Sequence, residues 1–270
     1  YYTLGLELPL LLQGNMTIPQ GTGYASFTVN SATGKLSVAG RLADGTAFTT
    51  ATYVGPTGEI AVFRTIYSSK ALGSVLGSLT IDDLAPNDIN DNTLAGTLSW
   101  WKPAQAGRAY AAGFGPFDLA AVGSRYIPPA TGTPVMSITP PAVVGQVNAV
   151  VELLGANIET ATPQATVPAA NQTGFSVTTA NKAVADVLNN PRKMTATINA
   201  KTGAVTGSVT LSAGHPFGGS PAVITRKFSY FALIVNNGVV QQAWGYYLLP
   251  QLPSNAVEKM TATPILSGQA

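Results

Sequence analysis

Cysteine, charge and long apolar runs are all scarce in this chain, and each absence excludes a class of protein. With no cysteine, a disulfide framework and a thiolate metal site are excluded. Charged residues make up only 10% of the chain, against roughly 25% in an ordinary soluble domain. The 14 basic and 12 acidic residues are scattered without a basic stripe, so we predict no nucleic-acid partner. No apolar run approaches the roughly 18 residues of a membrane helix, so we predict no membrane span.

A catalytic constellation is also missing from the sequence. The one histidine, His215, precedes Pro216 in a turn-forming context, and no Gly-x-Ser-x-Gly nucleophile motif accompanies it. Asp82 and Asp83 are adjacent, so on a strand their carboxylates would point to opposite faces and could not act as a pair. We therefore predict no enzymatic activity and no catalytic residues.

The chain does contain a hairpin signature that occurs twice. Residues 28–48 match residues 197–217 without a gap, and each copy carries the pattern Asn-x-x-Thr-Gly between β-branched and apolar flanks. This chemistry is typical of a short turn whose glycine adopts a positive φ before a second strand begins. We expect Gly34 and Gly203 to occupy equivalent turns.

The repeat predicts an all-β fold of two related antiparallel barrel or sandwich units in tandem. A further match aligns residues 63–77 with 231–245. The Pro-rich stretch 127–142 cannot donate a regular ladder, so we expect it to join a first unit at 1–130 to a second at 131–270. We expect at most one or two short helices, the best candidate being residues 180–188.

One segment of the second unit is apolar without alternation, at residues 231–235. A strand that is apolar on both faces is buried on both faces. Its outer face must therefore be covered, either by the sister unit or by a neighbouring chain.

Aromatic side chains are the main candidates for a ligand or interface site. They are Trp100, Trp101, Trp244 and Tyr246. Adjacent tryptophans on a strand face opposite ways, so we expect Trp100 or Trp101 to point outward, where it could stack on a sugar ring or anchor a protein interface. Alternatively, the outward ring only caps the end of a barrel.

The polar run at 82–92 is the one candidate metal site. Asp88, Asn90 and Asn92 supply the alternating oxygen ligands that open a calcium loop. The pattern then fails, because no glycine follows at once and no glutamate closes the loop. A solvated turn is the alternative.

The N-terminal residues 1–13 form a nearly uncharged arm with strand-like composition. Such an arm seeks a sheet edge. We predict that it pairs with an edge in another copy of the chain, and the alternative is that it is the first strand of its own sheet.

Glycine-containing segments in both halves carry a family resemblance, at 34–36, 40–46, 73–79, 94–104, 123–129, 199–209 and 245–247. These segments resemble a Gly-rich β module of very large surface proteins of the Planctomycetes and Verrucomicrobia. The resemblance implies export and surface display, and it brings no assigned activity and no catalytic residues.

Low charge, the doubly apolar strand, the arm and this resemblance together favour a non-enzymatic extracellular structural protein. We expect a self-assembling subunit of a surface filament or surface layer. The alternative is a carbohydrate- or small-ligand-binding module of a cell-surface protein.

Overall fold

A computed structural model describes residues 1–68, 70–82, 92–143, 145–158, 172–236 and 241–270. The fold is all-β, as the sequence predicts. Among the described residues, helical structure is limited to two 3-10 turns, Leu10–Leu12 and Val135–Ser137. The predicted helix at 180–188 is wrong, because Ala183–Ala185 forms a strand that pairs with its neighbour before the chain turns.

Sheet A is an eight-stranded antiparallel sheet that closes almost into a barrel. Its strands are β1 Tyr2–Glu7, β2 Gly23–Phe27, β3 Lys35–Arg41, β4 Ala47–Tyr53, β5 Glu59–Ser68, β6 Ala71–Asp82, β7 Thr93–Lys102 and β8 Phe114–Arg125. They follow the order β4-β3-β2-β1-β8-β7-β6-β5. The end strands β4 and β5 meet at a bridge between Val54 and Ile60, and the Thr50 hydroxyl donates to the Phe63 carbonyl at 2.9 Å.

Two further sheets are built from the rest of the chain. The strands are β9 Ala149–Glu152, β10 Leu154–Gly155, β11 Gln172–Val177, β12 Ala183–Ala185, β13 Thr195–Asn199, β14 Ala204–Gly214, β15 Val223–Asn236, β16 Gln241–Pro250 and β17 Ile265–Gln269. Sheet B has the order β10-β17-β16-β15-β14-β13, and sheet C has the order β12-β11-β9. The predicted junction at 127–142 lies between the last strand of sheet A and the first strand of the other two.

The two signature turns have the same local structure. Gly34 has a φ of 67° and Gly203 a φ of 75°, as the turn chemistry predicts. In each turn the glycine N–H donates to the carbonyl of the signature asparagine at 2.8 Å, and the asparagine side chain caps the residue two positions later. Asn-x-x-Thr-Gly therefore specifies this turn in both places.

The two signature turns are alike, but the strands that follow them are arranged differently in the two halves of the chain. The Gly34 carbonyl accepts from Val54 next to β4, whereas the Gly203 carbonyl accepts from Ile234 in β15. Relative to the turn, β15 thus occupies the position of β4 and not that of β5, with which the sequence match aligned it. The sheets also differ in strand number, so the tandem duplication stays a prediction.

Strand β15 is buried on both faces over most of residues 231–235, as its lack of alternation predicts. Tyr230, Ala232 and Ile234 belong to the core between sheets B and C, while Phe231 packs against the core of sheet A. The Thr3 hydroxyl donates to the Ile234 carbonyl at 2.8 Å across the junction. The cover for the outer face is therefore sheet A of the same chain.

Residues Tyr2–Glu7 of the N-terminal arm form a central strand of sheet A, and Leu10–Leu12 form a 3-10 turn. Strand β1 pairs with β2 along one edge and with β8 along the other. Both edges of β1 are hydrogen-bonded within the chain, so β1 has no free edge for the predicted pairing with another copy. The alternative prediction, that the arm contributes a strand to its own sheet, describes residues 2–7, because β2 and β8 of the same chain pair with them.

Candidate functional site

Of the four aromatic candidates, only Trp101 has an open face. It is 42% exposed, whereas its neighbour Trp100 is 1% exposed, because successive residues of β7 point to opposite sides of sheet A. Trp244 and Tyr246 are 9% and 1% exposed and lie where sheet B packs on sheet A. Three of the predicted interface residues are therefore core residues of this chain.

Trp101 belongs to an exposed apolar surface on the outside of sheet A. We call this surface the Trp101 face, and its four large residues are Phe63, Leu72, Leu76 and Trp101. Phe63 of β5 lies directly opposite Leu76 of β6, and Trp101 of β7 lies opposite Ser74, one outward position from both leucines. Their exposed fractions are 61, 52, 47 and 42% in sequence order. The face thus spans three adjacent strands.

The surroundings of the Trp101 face carry no charge along β6 and β7. Outward positions alternate with buried ones on both strands. From Leu72 to Thr80 and from Ala95 to Trp101 these positions hold only Leu, Ser, Thr, Ala and Trp. These two strands can consequently be desolvated without burying a charge, and the adjoining outward charge is Asp118 of β8, which lies opposite Ser99.

A buried polar network lies on the opposite side of the same strands. Asp44 follows β3, and its carboxylate lies 3.6 Å from the Lys102 ammonium and accepts from the Tyr67 hydroxyl at 2.9 Å. The Trp100 indole N–H donates to the Tyr67 oxygen at 2.9 Å. Burial, and next the Asp44 carboxylate, raise the pKa of Tyr67 well above its usual range. The network ties the β3–β4 turn to the end of β7.

This network fits a structural role better than a catalytic one. Lys102 and Asp44 are both buried, and Lys102 also donates to the Ala109 carbonyl at 3.0 Å. Each buried charge is paired and hydrogen-bonded, which is the condition for burying charge at tolerable cost. The sequence does not reveal this pair, because Asp44 and Lys102 are far apart in the chain and belong to no motif. One signal is that Lys102 continues the alternation of β7 at an inward position.

A second site is a cleft between sheets A, B and C. Two cavities of about 400 and about 470 Å³ adjoin there and share Leu154, Gln242, Trp244 and Gln269 as lining residues. The Trp244 ring lies against Gly5, where a Cβ would have no room. Only glycine at this position lets the indole reach sheet A.

Among the described residues, the charged side chains that line the cleft are Glu7 and Glu152. Glu7 lines the first cavity, and burial raises the pKa of its carboxyl. Glu152 lines the second cavity and accepts from the Gln172 side chain at 2.8 Å. A bound group would therefore meet amides, apolar walls and negative charge.

The calcium candidates lie mostly outside the described residues. Asp88 and Asn90 fall there, and only Asn92 is described. Its side-chain oxygen accepts from the Tyr2 hydroxyl at 2.9 Å, beside Asp82 at one end of the barrel. Within the described ranges, no three His, Cys, Asp or Glu residues cluster as a metal site would require.

No helix in the described part of the chain is long and apolar enough to cross a membrane. Comparison with family models, with curated proteins and with solved structures finds no match. The resemblance to the Gly-rich surface module stays a prediction.

Proposed function

We propose that this chain is a non-enzymatic structural protein of the cell exterior that assembles with copies of itself through the Trp101 face. The supporting observation is the set of four exposed large apolar residues on three adjacent strands. Contiguous exposed apolar surface of this kind is typical of an interaction site. Tryptophan in such a surface often carries much of the binding free energy.

A second copy suits this surface as a partner. In a two-fold symmetric contact the same patch meets itself, so a charge near the two-fold axis would face its own copy. The outward positions of β6 and β7 around Trp101 are uncharged and avoid this repulsion. The low overall charge of the chain reduces the long-range repulsion between copies as well.

The ligand-binding alternative has less support. Carbohydrate recognition through aromatic stacking needs an open ring face. Trp101 offers one, while Trp100, Trp244 and Tyr246 are buried. A single exposed indole favours a protein contact in which the neighbouring leucines also take part.

The test is association of the purified protein with and without Trp101. We expect the unaltered chain to form a dimer in sedimentation velocity, because a two-fold contact through one face closes on itself. Trp101→Ser should weaken association by about 30-fold, the effect of losing a typical hot spot. Its melting temperature should change little, because the side chain points away from the core.

Leu188→Ser is the matched control, since Leu188 is an exposed apolar residue in a turn away from this face. It should associate like the unaltered chain. A protein that stays monomeric at every concentration, or a Trp101→Ser variant that assembles normally, would contradict the proposal. Immunodetection on intact cells tests the extracellular location separately.

A further inference from the structure

The buried pair of Asp44 and Lys102 brings a carboxyl group and an amine within reach of each other. The Lys102 Nζ lies 3.6 Å from the Asp44 Oδ2, and both residues are buried. This separation is longer than a hydrogen bond. It is close to the roughly 3–3.5 Å at which bound groups are poised to react. An uncharged amine and an uncharged carboxyl group held in this way can join as an amide, with water as the other product.

Aromatic side chains exclude water from the pair. Trp100, Tyr110 and Phe114 are buried, and the Phe114 ring contacts the other two rings edge to face. Phe114 of β8 also lies opposite Lys102 of β7. Burying two opposite charges costs the hydration of both. Transfer of one proton from the ammonium to the carboxylate removes both charges at once, and it leaves the free amine and the carboxylic acid that amide formation requires.

Each carboxyl oxygen of Asp44 accepts from a donor of its own. The Thr46 N–H donates to Oδ1 at 2.9 Å, and the Tyr67 hydroxyl donates to Oδ2 at 2.9 Å. A donor on Oδ1 stabilises the negative charge that this oxygen gains when a nucleophile attacks the carboxyl carbon. A donor on Oδ2 assists the departure of that oxygen as water. The Lys102 nitrogen is oriented in turn by its hydrogen bond to the Ala109 carbonyl, at 3.0 Å.

The position of Tyr67 departs from regular strand geometry. By the alternation of β5, residue 67 shares the outward side of sheet A with Phe63. Its φ of 70° lies in the left-handed region, which is strained for an aromatic residue, and its hydroxyl reaches Asp44 on the inward side. Gly73 of β6 makes room for the ring, since a Cβ there would lie 2.7 Å from the Tyr67 Cδ2. Backbone strain of this kind is typical of residues held in place for a function.

We propose that Lys102 and Asp44 form an intramolecular amide cross-link in the folded protein. The Lys102 nitrogen attacks the Asp44 Cγ, and a proton passes from this nitrogen to Oδ2. The Cγ–Oδ2 bond then breaks and one water leaves, so the step needs no oxidant and no co-reactant. The product ties the β3–β4 turn to the end of β7. A cross-link between residues far apart in the chain restricts the unfolded state and stabilises the fold. This inference goes beyond the proposed self-assembly and does not depend on it.

Intact mass spectrometry of the full chain tests the cross-link directly. After the folded protein has been held at neutral pH, its mass should be lower than that calculated from the sequence by one water. Trypsin should then release residues 42–64 joined to residues 71–108, because Lys102 precedes Pro103 and is not a cleavage site. Fragmentation of this linked pair should place the bond at Asp44 and Lys102.

Two variants test the roles of the reacting groups. Lys102→Arg is the matched control, because it keeps the positive charge but has no amine to form the bond, and it should have its full calculated mass. Tyr67→Phe keeps the ring and removes the donor to Oδ2. In newly translated protein, its cross-linked fraction should accumulate at least about tenfold more slowly than that of the unaltered chain.

A full calculated mass for the unaltered chain after prolonged incubation would overturn the proposal. The same water loss in Lys102→Arg would also overturn it, because the dehydration would then lie elsewhere in the chain. If Lys102→Arg does not fold, the tryptic fragments of the unaltered chain decide, and separate fragments 42–64 and 71–108 would overturn the cross-link. An unaltered rate in Tyr67→Phe would overturn the role assigned to its hydroxyl.

Discussion

The two signature turns share a backbone conformation but not an environment, which allows a paired prediction. An alanine at Gly34 or Gly203 must adopt a positive φ, which costs roughly 1–2 kcal/mol. At Gly34 the new Cβ would meet only the Val54 carbonyl oxygen, at 3.6 Å. At Gly203 it would approach the Tyr126 ring at 3.0 Å and the Ile234 Cβ at 3.3 Å. The same substitution is therefore strained in both places but crowded in only one.

The Tyr126 ring cannot move aside freely. Its hydroxyl donates to the Ala200 carbonyl of the same turn at 2.7 Å, and the side chain is buried. Crowding a packed site of this kind costs about 1–3 kcal/mol. We expect Gly34→Ala to lose about 1–2 kcal/mol of unfolding free energy and Gly203→Ala to lose about 3 kcal/mol.

Urea unfolding, followed by circular dichroism and tryptophan fluorescence, measures both losses. Gly34→Asn is the control for backbone strain, because asparagine tolerates the left-handed region and should restore most of the stability. Equal losses at the two glycines would show that Tyr126 does not confine the second turn. A stable Gly34→Ala variant would show that the positive φ is not required.

Three further predictions concern charged groups. Lys102→Met should lose about 3–5 kcal/mol of unfolding free energy, because it leaves Asp44 buried without its cation. In urea unfolding, the double variant Lys102→Met with Asp44→Asn should lose less than the sum of the two single variants. Additive losses would refute the coupling of Asp44 and Lys102. Burial raises the pKa of Glu7 in the folded state, so the ionised form is disfavoured there and the penalty disappears as the pH falls through that pKa. Glu7→Gln should therefore melt higher than the unaltered chain at pH 7 and at the same temperature at pH 3, and identical melting curves at pH 7 would contradict this. Thermal scans with and without EDTA should coincide, because the calcium-loop pattern at 82–92 lacks its closing glutamate. A melting temperature that EDTA lowers, and that Asp88→Ala makes insensitive to EDTA, would instead indicate bound calcium.

Residues 180–188 show that a short local sequence pattern does not determine secondary structure by itself. Their Ala, Val and Leu spacing suits one or two helical turns, yet Ala183–Ala185 pairs with β11 in sheet C. Helix propensity over so few residues is weak, and tertiary pairing overrides it. The segment's neighbours in space, not its own composition, determine its structure.

The cleft and the buried network show the same limit at the level of sites. Trp244 was identified as an aromatic candidate, but its packing against Gly5 depends on how sheet B sits on sheet A. Asp44 and Lys102 meet only because sheet A curls almost closed, which brings the β3–β4 turn to the end of β7 from the opposite side of the barrel. Neither arrangement has a sequence signature, because each joins residues far apart in the chain.

The sequence by itself determined the features whose physical causes are local. These are the all-β class, the glycine turns at 34 and 203, the opposite orientation of Trp100 and Trp101, and the burial of 231–235 on both faces. Turn chemistry and side-chain alternation act within a few residues, so they can be read along the chain. Only the tertiary structure decided that residues 2–7 lie between β2 and β8, that sheet A covers β15, and that a cleft lies between the three sheets. Strand pairing joins residues that are distant in sequence, and many edges of similar chemistry compete for each strand, so the choice among them depends on the packing of the whole chain.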